Sequence, residues 1–199
     1  MTETTANVAV ILATVSTVVF LLPQIAKLKR TGDSSGVSTT WAALGFVSNV
    51  GWFTYMISQS RWYAVVAPLS TFIFYAVALR ALAGTGRDLR NATVIAVGWS
   101  LVLGGVAVGG GWTTLGVVLG LTYAAMVTPS IWTAYRSRKP SGVSAGTWWI
   151  GSVEALLWGL YGLYHMDPAI ITFGTVQLTA SALMLTRYYT TRRLVLEQV

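Results

Sequence analysis

Apolar residues along this chain gather into seven long runs, at positions 7–27, 37–58, 62–80, 91–109, 112–135, 143–164 and 168–187, parted by short polar connections. A helix needs about 20 residues to cross the hydrocarbon of a bilayer, and each run is near that length. The pattern predicts seven transmembrane helices in a compact bundle, with no soluble domain attached.

The runs are related to one another. Leu21-Leu22-Pro23-Gln24-Ile25, then Lys27-Leu28-Lys29-Arg30, then Ser35-Gly36-Val37-Ser38 reads as a helix end, a basic loop and a helix start. Shifted by 106 positions, the stretch returns as Pro129, Ile131, Arg136 and Ser141-Gly142-Val143-Ser144. The match runs on without a gap through Gly45/Gly151, Val47/Val153, Trp52/Trp158, Tyr55/Tyr161, Ala76/Ala182 and Leu79/Leu185. A period this long, holding three helix-sized runs, marks an internal duplication. Two facing copies of a membrane bundle form a transporter's plan.

Composition agrees with a membrane setting. Of 199 residues, 54% are hydrophobic and 10% charged, and the mean hydropathy is +0.64. Soluble domains carry roughly 25% charged residues, so a greasy soluble helical domain is set aside. The absence of cysteine excludes disulfides and thiolate metal sites. A net charge of +7 invites a nucleic-acid partner, but the cations sit in short clusters between apolar runs, where orientation signals belong. No nucleic-acid partner is expected. Nor is a cleaved signal peptide, because Glu3 is the one charged residue before the first run and the basic cluster follows it.

With the N-terminus outside, the inner side collects Lys27, Lys29, Arg30, Arg80, Arg87, Arg90, Arg136, Arg138, Lys139, Arg187, Arg192 and Arg193, and the outer side only Arg61. Twelve of thirteen cations on one side is a strong positive-inside bias. It predicts a cytoplasmic C-terminus and supports the count of seven. Because three helices is an odd number, a directly fused second copy would insert upside down. The fourth run corrects this by crossing once. The expected organisation is a first three-helix bundle at 1–84, a linker helix at 85–111 and a second bundle with a basic tail at 112–199. The linker is rich in glycine (Gly98, Gly104, Gly105, Gly109) and is expected to pack through small residues.

Pro23 and Pro129 lie near the cytoplasmic ends of the first and fifth runs, at equivalent places in the two copies. Proline removes a backbone donor and kinks a helix, so the pair reads as a hinge. Gln24 beside Pro23 is read as a cytoplasmic-side hydrogen-bonding group, and Ser130 replaces it in the second copy.

Pro23-Gln24, a basic loop and Gly36-Val37-Ser38 resemble the PQ-loop repeat, and Trp158-Gly159-Leu160-Tyr161-Gly162 resembles the Trp-x-x-Tyr-Gly signature of the SWEET and SemiSWEET sugar transporters. The resemblance covers nearly the whole chain. It implies an all-α integral membrane protein whose seven transmembrane helices form 3+1+3 parallel triple-helix-bundle repeats. It also implies solute contacts. The family's tryptophan in the second helix of each repeat falls on Trp52 and Trp158, whose indole faces can stack on a sugar ring. Asn49 shares the helical face of Trp52, where the family often has a small polar contact. Sixteen residues after each tryptophan the family usually has an asparagine; this chain has Pro68 and Gly174. Gln177 lies one turn beyond Gly174 and could reach into the space that a glycine leaves, and its first-repeat equivalent is Thr71.

Glu154 departs from the family pattern. It precedes Trp158 by four residues, so both project from one helical face. A carboxyl in mid-bilayer costs a few kcal/mol and usually marks a substrate or proton pathway. His165 and Asp167, at the outer end of the sixth run, are expected to be solvated. One histidine and no cysteine leave no metal cluster, and no nucleophile motif is present, so neither an enzyme nor a cofactor is expected.

The leading expectation is a transporter of a small polar solute, a sugar, working by alternating access. A proton-coupled exporter of an amino acid or amine through Glu154 is the alternative. A seven-helix sensor ranks behind both, because it leaves the duplication unexplained and the last run lacks a Schiff-base lysine. The expected partners are the solute and lipid, with a homo-oligomer admitted but not required. The expected location is a bacterial cell membrane, which the chain crosses many times.

Overall fold

Ser38 and Ser144, equivalent serines of the repeated Ser-Gly-Val-Ser, begin equivalent helices. Each is an extended N-cap whose hydroxyl accepts a backbone hydrogen bond, from Trp41 N at 3.3 Å and from Thr147 N at 3.5 Å. The computed structural model describes residues 1–31, 38–84, 86, 88–136 and 144–196, apart from the side chains of 20–31 and 192–196. Six helical elements are found among the described residues: α1 (Glu3–Thr31), α2 (Thr39–Ser58), α3 (Val66–Gly84), α4 (Arg90–Arg136), α5 (Ala145–Tyr164) and α6 (Pro168–Leu196). A 3-10 turn at Trp62–Ala64 leads into α3. Among the described residues there is no strand.

The fourth and fifth predicted runs are joined without a coil into α4, but they are not one straight rod. Gly111, at φ 76 and ψ 178, leaves helical geometry where the two runs were expected to part. A Cβ placed on Gly51 of α2 would lie 2.9 Å from Leu119 and 3.3 Å from Leu103. Those leucines are eight residues either side of Gly111, and a straight helix would hold them about 24 Å apart. The chain therefore doubles back at Gly111, where only glycine is comfortable.

The turns repeat as the sequence does. Gln59 and His165 are the C-caps of α2 and α5, and the next residues, Ser60 (φ 53) and Met166 (φ 49), take the same left-handed conformation. Arg61 N then reaches back to Met56 O at 2.8 Å, and Asp167 N to Gly162 O at 2.9 Å. Both turns close their helices in the Schellman manner.

Packing follows the same plan. α3 lies against both α1 and α2, whose described backbones do not meet; α6 likewise lies against α4 and α5, which do not meet. Gly45 and Gly151 serve equivalent close approaches. A side chain on Gly45 would run into the Tyr75 ring, and one on Gly151 would meet Ser181 at 3.1 Å. Across the halves, α1 packs on α5 and α2 on α4. The small apolar residues Ala6, Val10 and Ala13, spaced by four and three, form the buried face of α1.

The outer surface is strongly apolar, and several polar side chains lie inside. Val108 is 91% exposed and Leu101 72%, whereas Ser48, Gln177 and Ser181 are buried. Such a surface belongs in lipid. Three helical segments, Trp62–Gly84, Arg90–Arg136 and Pro168–Thr191, are long and apolar enough to cross a membrane. This is an all-helical, multi-pass membrane architecture.

One expectation needs correction. Gly98, Gly104, Gly105 and Gly109 stand in open space, so the first limb of α4 does not pack through them among the described residues. It engages α2 through larger groups instead, with Leu103 against Gly51 and the Trp99 indole donating to Ser48 Oγ at 3.1 Å. Helical geometry runs unbroken through Pro129, and the backbone departs from it at Gly111. Pro23 and Gln24, the other hinge residues, have side chains outside the described set.

Candidate functional site

A cavity of about 460 Å³ lies between the halves, within the size range of ordinary small-molecule sites. Its lining runs from Met56 and Ile170 at one end to Trp41, Trp148 and the exposed Ser130 at the other. Of the residues expected to bind solute, Asn49, Trp52, Glu154, Trp158 and Gln177 all line it.

Gly174 does not. A Cβ there would lie 3.0 Å from the Ala155 carbonyl oxygen and 3.1 Å from Gly159 N. The glycine lets α6 approach α5, leaving no room for the family's asparagine. Pro68, at the other departing position, is a wall residue of the cavity. Asn49 donates to Gly45 O at 2.8 Å, which ties its amide to its own helix.

The two indoles do not simply face each other. Phe173 stands between them, edge-to-face with Trp52 at 5.7 Å and with Trp158 at 6.3 Å, and also touches Tyr123 at 5.4 Å. Its equivalent in the first half is Ala67, which also lines the cavity. The aromatic centre is thus asymmetric. Nothing polar or charged marked Phe173 in the sequence; only comparing position 67 with 173 across the repeat would have exposed it.

One turn away from the indoles the wall becomes polar. Glu154 Oε2 accepts from Gln177 Nε2 at 3.2 Å, and Oε1 is hydrogen-bonded to the Thr17 hydroxyl of α1. Thr17 lies on the face of α1 that carries Val10 and Ala13, and its hydroxyl also reaches Ala13 O at 3.0 Å. Gln177 Oε1 and Ser181 Oγ are buried and have no hydrogen-bond partner among the described residues. The equivalents of Glu154, Gln177 and Ser181 are Ser48, Thr71 and Tyr75, so the carboxyl and the amide belong to the second half alone.

Beyond Met56 the cavity is sealed. The Tyr55 hydroxyl donates to Asp167 Oδ1 at 2.7 Å, and both residues are nearly inaccessible. The same carboxylate caps α6, accepting from Ala169 N at 3.1 Å and Ile170 N at 3.3 Å. Arg61 Nε lies 3.7 Å from Asp167 Oδ2, and Arg61 Nη1 is 2.6 Å from His165 Nδ1. The Tyr161 ring stacks edge-on against His165 at 4.5 Å. The expectation of a solvated side chain is therefore wrong for Asp167, whereas His165 is half-buried. Asp167 is 4% exposed and, with its four-residue neighbourhood, closes one end of the chamber. Among the described residues no group of His, Cys, Asp and Glu is placed to hold a metal.

Known proteins share parts of this chain. Residues 5–63 match the model of the PQ loop repeat family. A sugar transporter SemiSWEET from Vibrio sp. (strain N418) is 38% identical over 56 residues, which is 27% of this chain and 58% of that protein. The chain thus spans little more than half the length of the curated relative it matches. The family match covers the helix, basic loop and following helix where the repeat motif was read, so this part of the chain is similar to PQ-loop proteins and to a SemiSWEET transporter.

Proposed function

We propose that this protein carries a small polar solute, a sugar, across a cell membrane by alternating access between two three-helix bundles. The observation that supports this most is the chamber itself. Both halves line it, an indole from each half reaches the same Phe173 ring, and the Tyr55–Asp167 layer seals one end. The turns, caps and helix contacts that recur at an offset of 106 support parallel 3+1+3 repeats. In that arrangement the two limbs of α4 are separate spans and the first is the inversion linker. With the N-terminus outside, the sealed end is the outer one, and the solute site faces the cytoplasm.

The test is counterflow of labelled sugars in liposomes. Wild-type protein should exchange sugar, and Trp158→Ala should lose most of that exchange. Equal rates for the two would remove the reading.

A second reading, a proton-coupled exporter of an amino acid or amine, is favoured by the contacts of Thr17. Its hydroxyl has one proton and reaches two oxygens, Ala13 O and Glu154 Oε1. Both contacts are satisfied when Glu154 itself carries a proton, as a coupling carboxyl must in one state. A pH gradient should then drive transport, and Glu154→Gln should uncouple it.

A further inference from the structure

We infer that the solute is a polyol ring bearing a protonated amine, with the ring against the indoles and the ammonium on Glu154. The inference rests on the transport reading above and narrows its substrate class.

Among the described lining residues Glu154 is the lone Asp or Glu, and no Lys, Arg or His joins it. A chamber with one acid and no base discriminates by charge, admitting cations over anions. The open hydrogen-bonding positions also run toward acceptors. Gln177 places one of its two amide hydrogens on Glu154 Oε2, and its buried Oε1, unpartnered among the described residues, stands open as an acceptor. The buried, unpartnered hydroxyl of Ser181, one turn along the same face of α6, adds another. Together with the carboxyl they suit a group that brings several hydrogens, which an ammonium does and a single hydroxyl does not.

The aromatic side supplies the rest. Trp158 lies one turn from Glu154 on α5, and its side chain is a hydrogen-bond partner of the Glu154 carboxyl. The indole N–H is on the ring edge, so an amine on the carboxyl sits beside, and not on top of, a ring stacked on the indoles. Aromatic faces also favour a nearby cation. The ammonium supplies the hydrogens that a proton on Glu154 would otherwise supply. Amine and proton therefore compete for one carboxyl: as the amine docks, the proton leaves for water.

The test compares three probes that share one ring: glucosamine, glucose and N-acetylglucosamine. Binding is read by tryptophan fluorescence of the full chain in detergent, at a pH where the amine is protonated. Glucosamine should bind about tenfold to a hundredfold more tightly than glucose or the acetylated sugar, which has lost the charge. Glu154→Gln should bring the three together, and Glu154→Asp should keep them apart. Equal affinity for glucosamine and glucose in the wild type overturns the inference while leaving sugar transport standing. Failure of all three to bind overturns both.

Discussion

Arg61 and Asp167 occupy the same place in the two halves, 106 positions apart, and they pair with each other at 3.7 Å. The duplicated turn places each at the start of a third helix, and divergence has given the two positions opposite charges. Asp167 has three tasks: it pairs with Arg61, accepts from Tyr55 and caps α6. Removing it should therefore cost both stability and closure. Asp167→Ala is expected to lower stability by about 2 kcal/mol, seen as a lower thermal midpoint in detergent. The native chain has no cysteine, so Thr71→Cys in the cavity wall can report access. An impermeant thiol reagent applied outside should label it faster when Asp167 is also Ala. Unchanged labelling would mean that this layer is not the seal.

Gly174 bears on why the family's asparagine is absent. Restoring an amide there looks like a route to better sugar binding, but the backbone of α5 occupies the space a side chain needs. Gly174→Asn is expected to destabilise the protein by about 1–3 kcal/mol through overpacking and to gain no affinity. A variant that kept its melting temperature and bound solute more tightly would show that α6 can shift away from α5.

The extent of the helices was legible because run length and loop charge are sequence properties. Most predicted bounds in the described chain fall within a few residues of those observed, and the reversal at Gly111 lies where the fourth run gave way to the fifth. A positive φ at a glycine makes that reversal, and the run boundary alone does not single out Gly111 from Gly109 and Gly110 beside it. Trp52, Trp158 and Glu154 were legible as cavity residues because an indole or carboxyl in mid-helix is conspicuous. Asp167 was misread because loop position suggests water, and neither Arg61 nor Tyr55, more than 100 residues away, could be assigned to it. Ser181 was invisible: its burial and missing partner arise only when Gly151 lets α5 and α6 close together.

Gly111 should tolerate no side chain. At φ 76 and ψ 178 an L-residue is strained by about 1–3 kcal/mol, with no contact to offset it. Gly111→Ala is expected to lower the thermal midpoint, whereas Gly109→Ala, in open space on regular helix, should leave it unchanged or raise it. Equal effects from the two would mean that the reversal does not depend on this conformation.

His165 makes the sealed end sensitive to acid. Burial lowers its pKa below the ordinary histidine value, the Arg61 guanidinium adds to this, and Asp167 and Glu3 oppose it. The 2.6 Å contact with Arg61 requires a neutral imidazole, because Nδ1 must accept. In the unfolded chain the same ring takes a proton near pH 6.5. Between that pH and the lower folded value, the unfolded state binds more protons, so stability rises with pH across the window. The contribution is complete above the ordinary histidine pKa and is lost as pH falls through the folded one, where an imidazolium would face Arg61. Thermal midpoints measured from neutral to mildly acid pH should fall for the wild type and stay flatter for His165→Gln. The difference between the two isolates this group from the carboxylates, and parallel profiles would show that the His165–Arg61 contact does not govern the acid response.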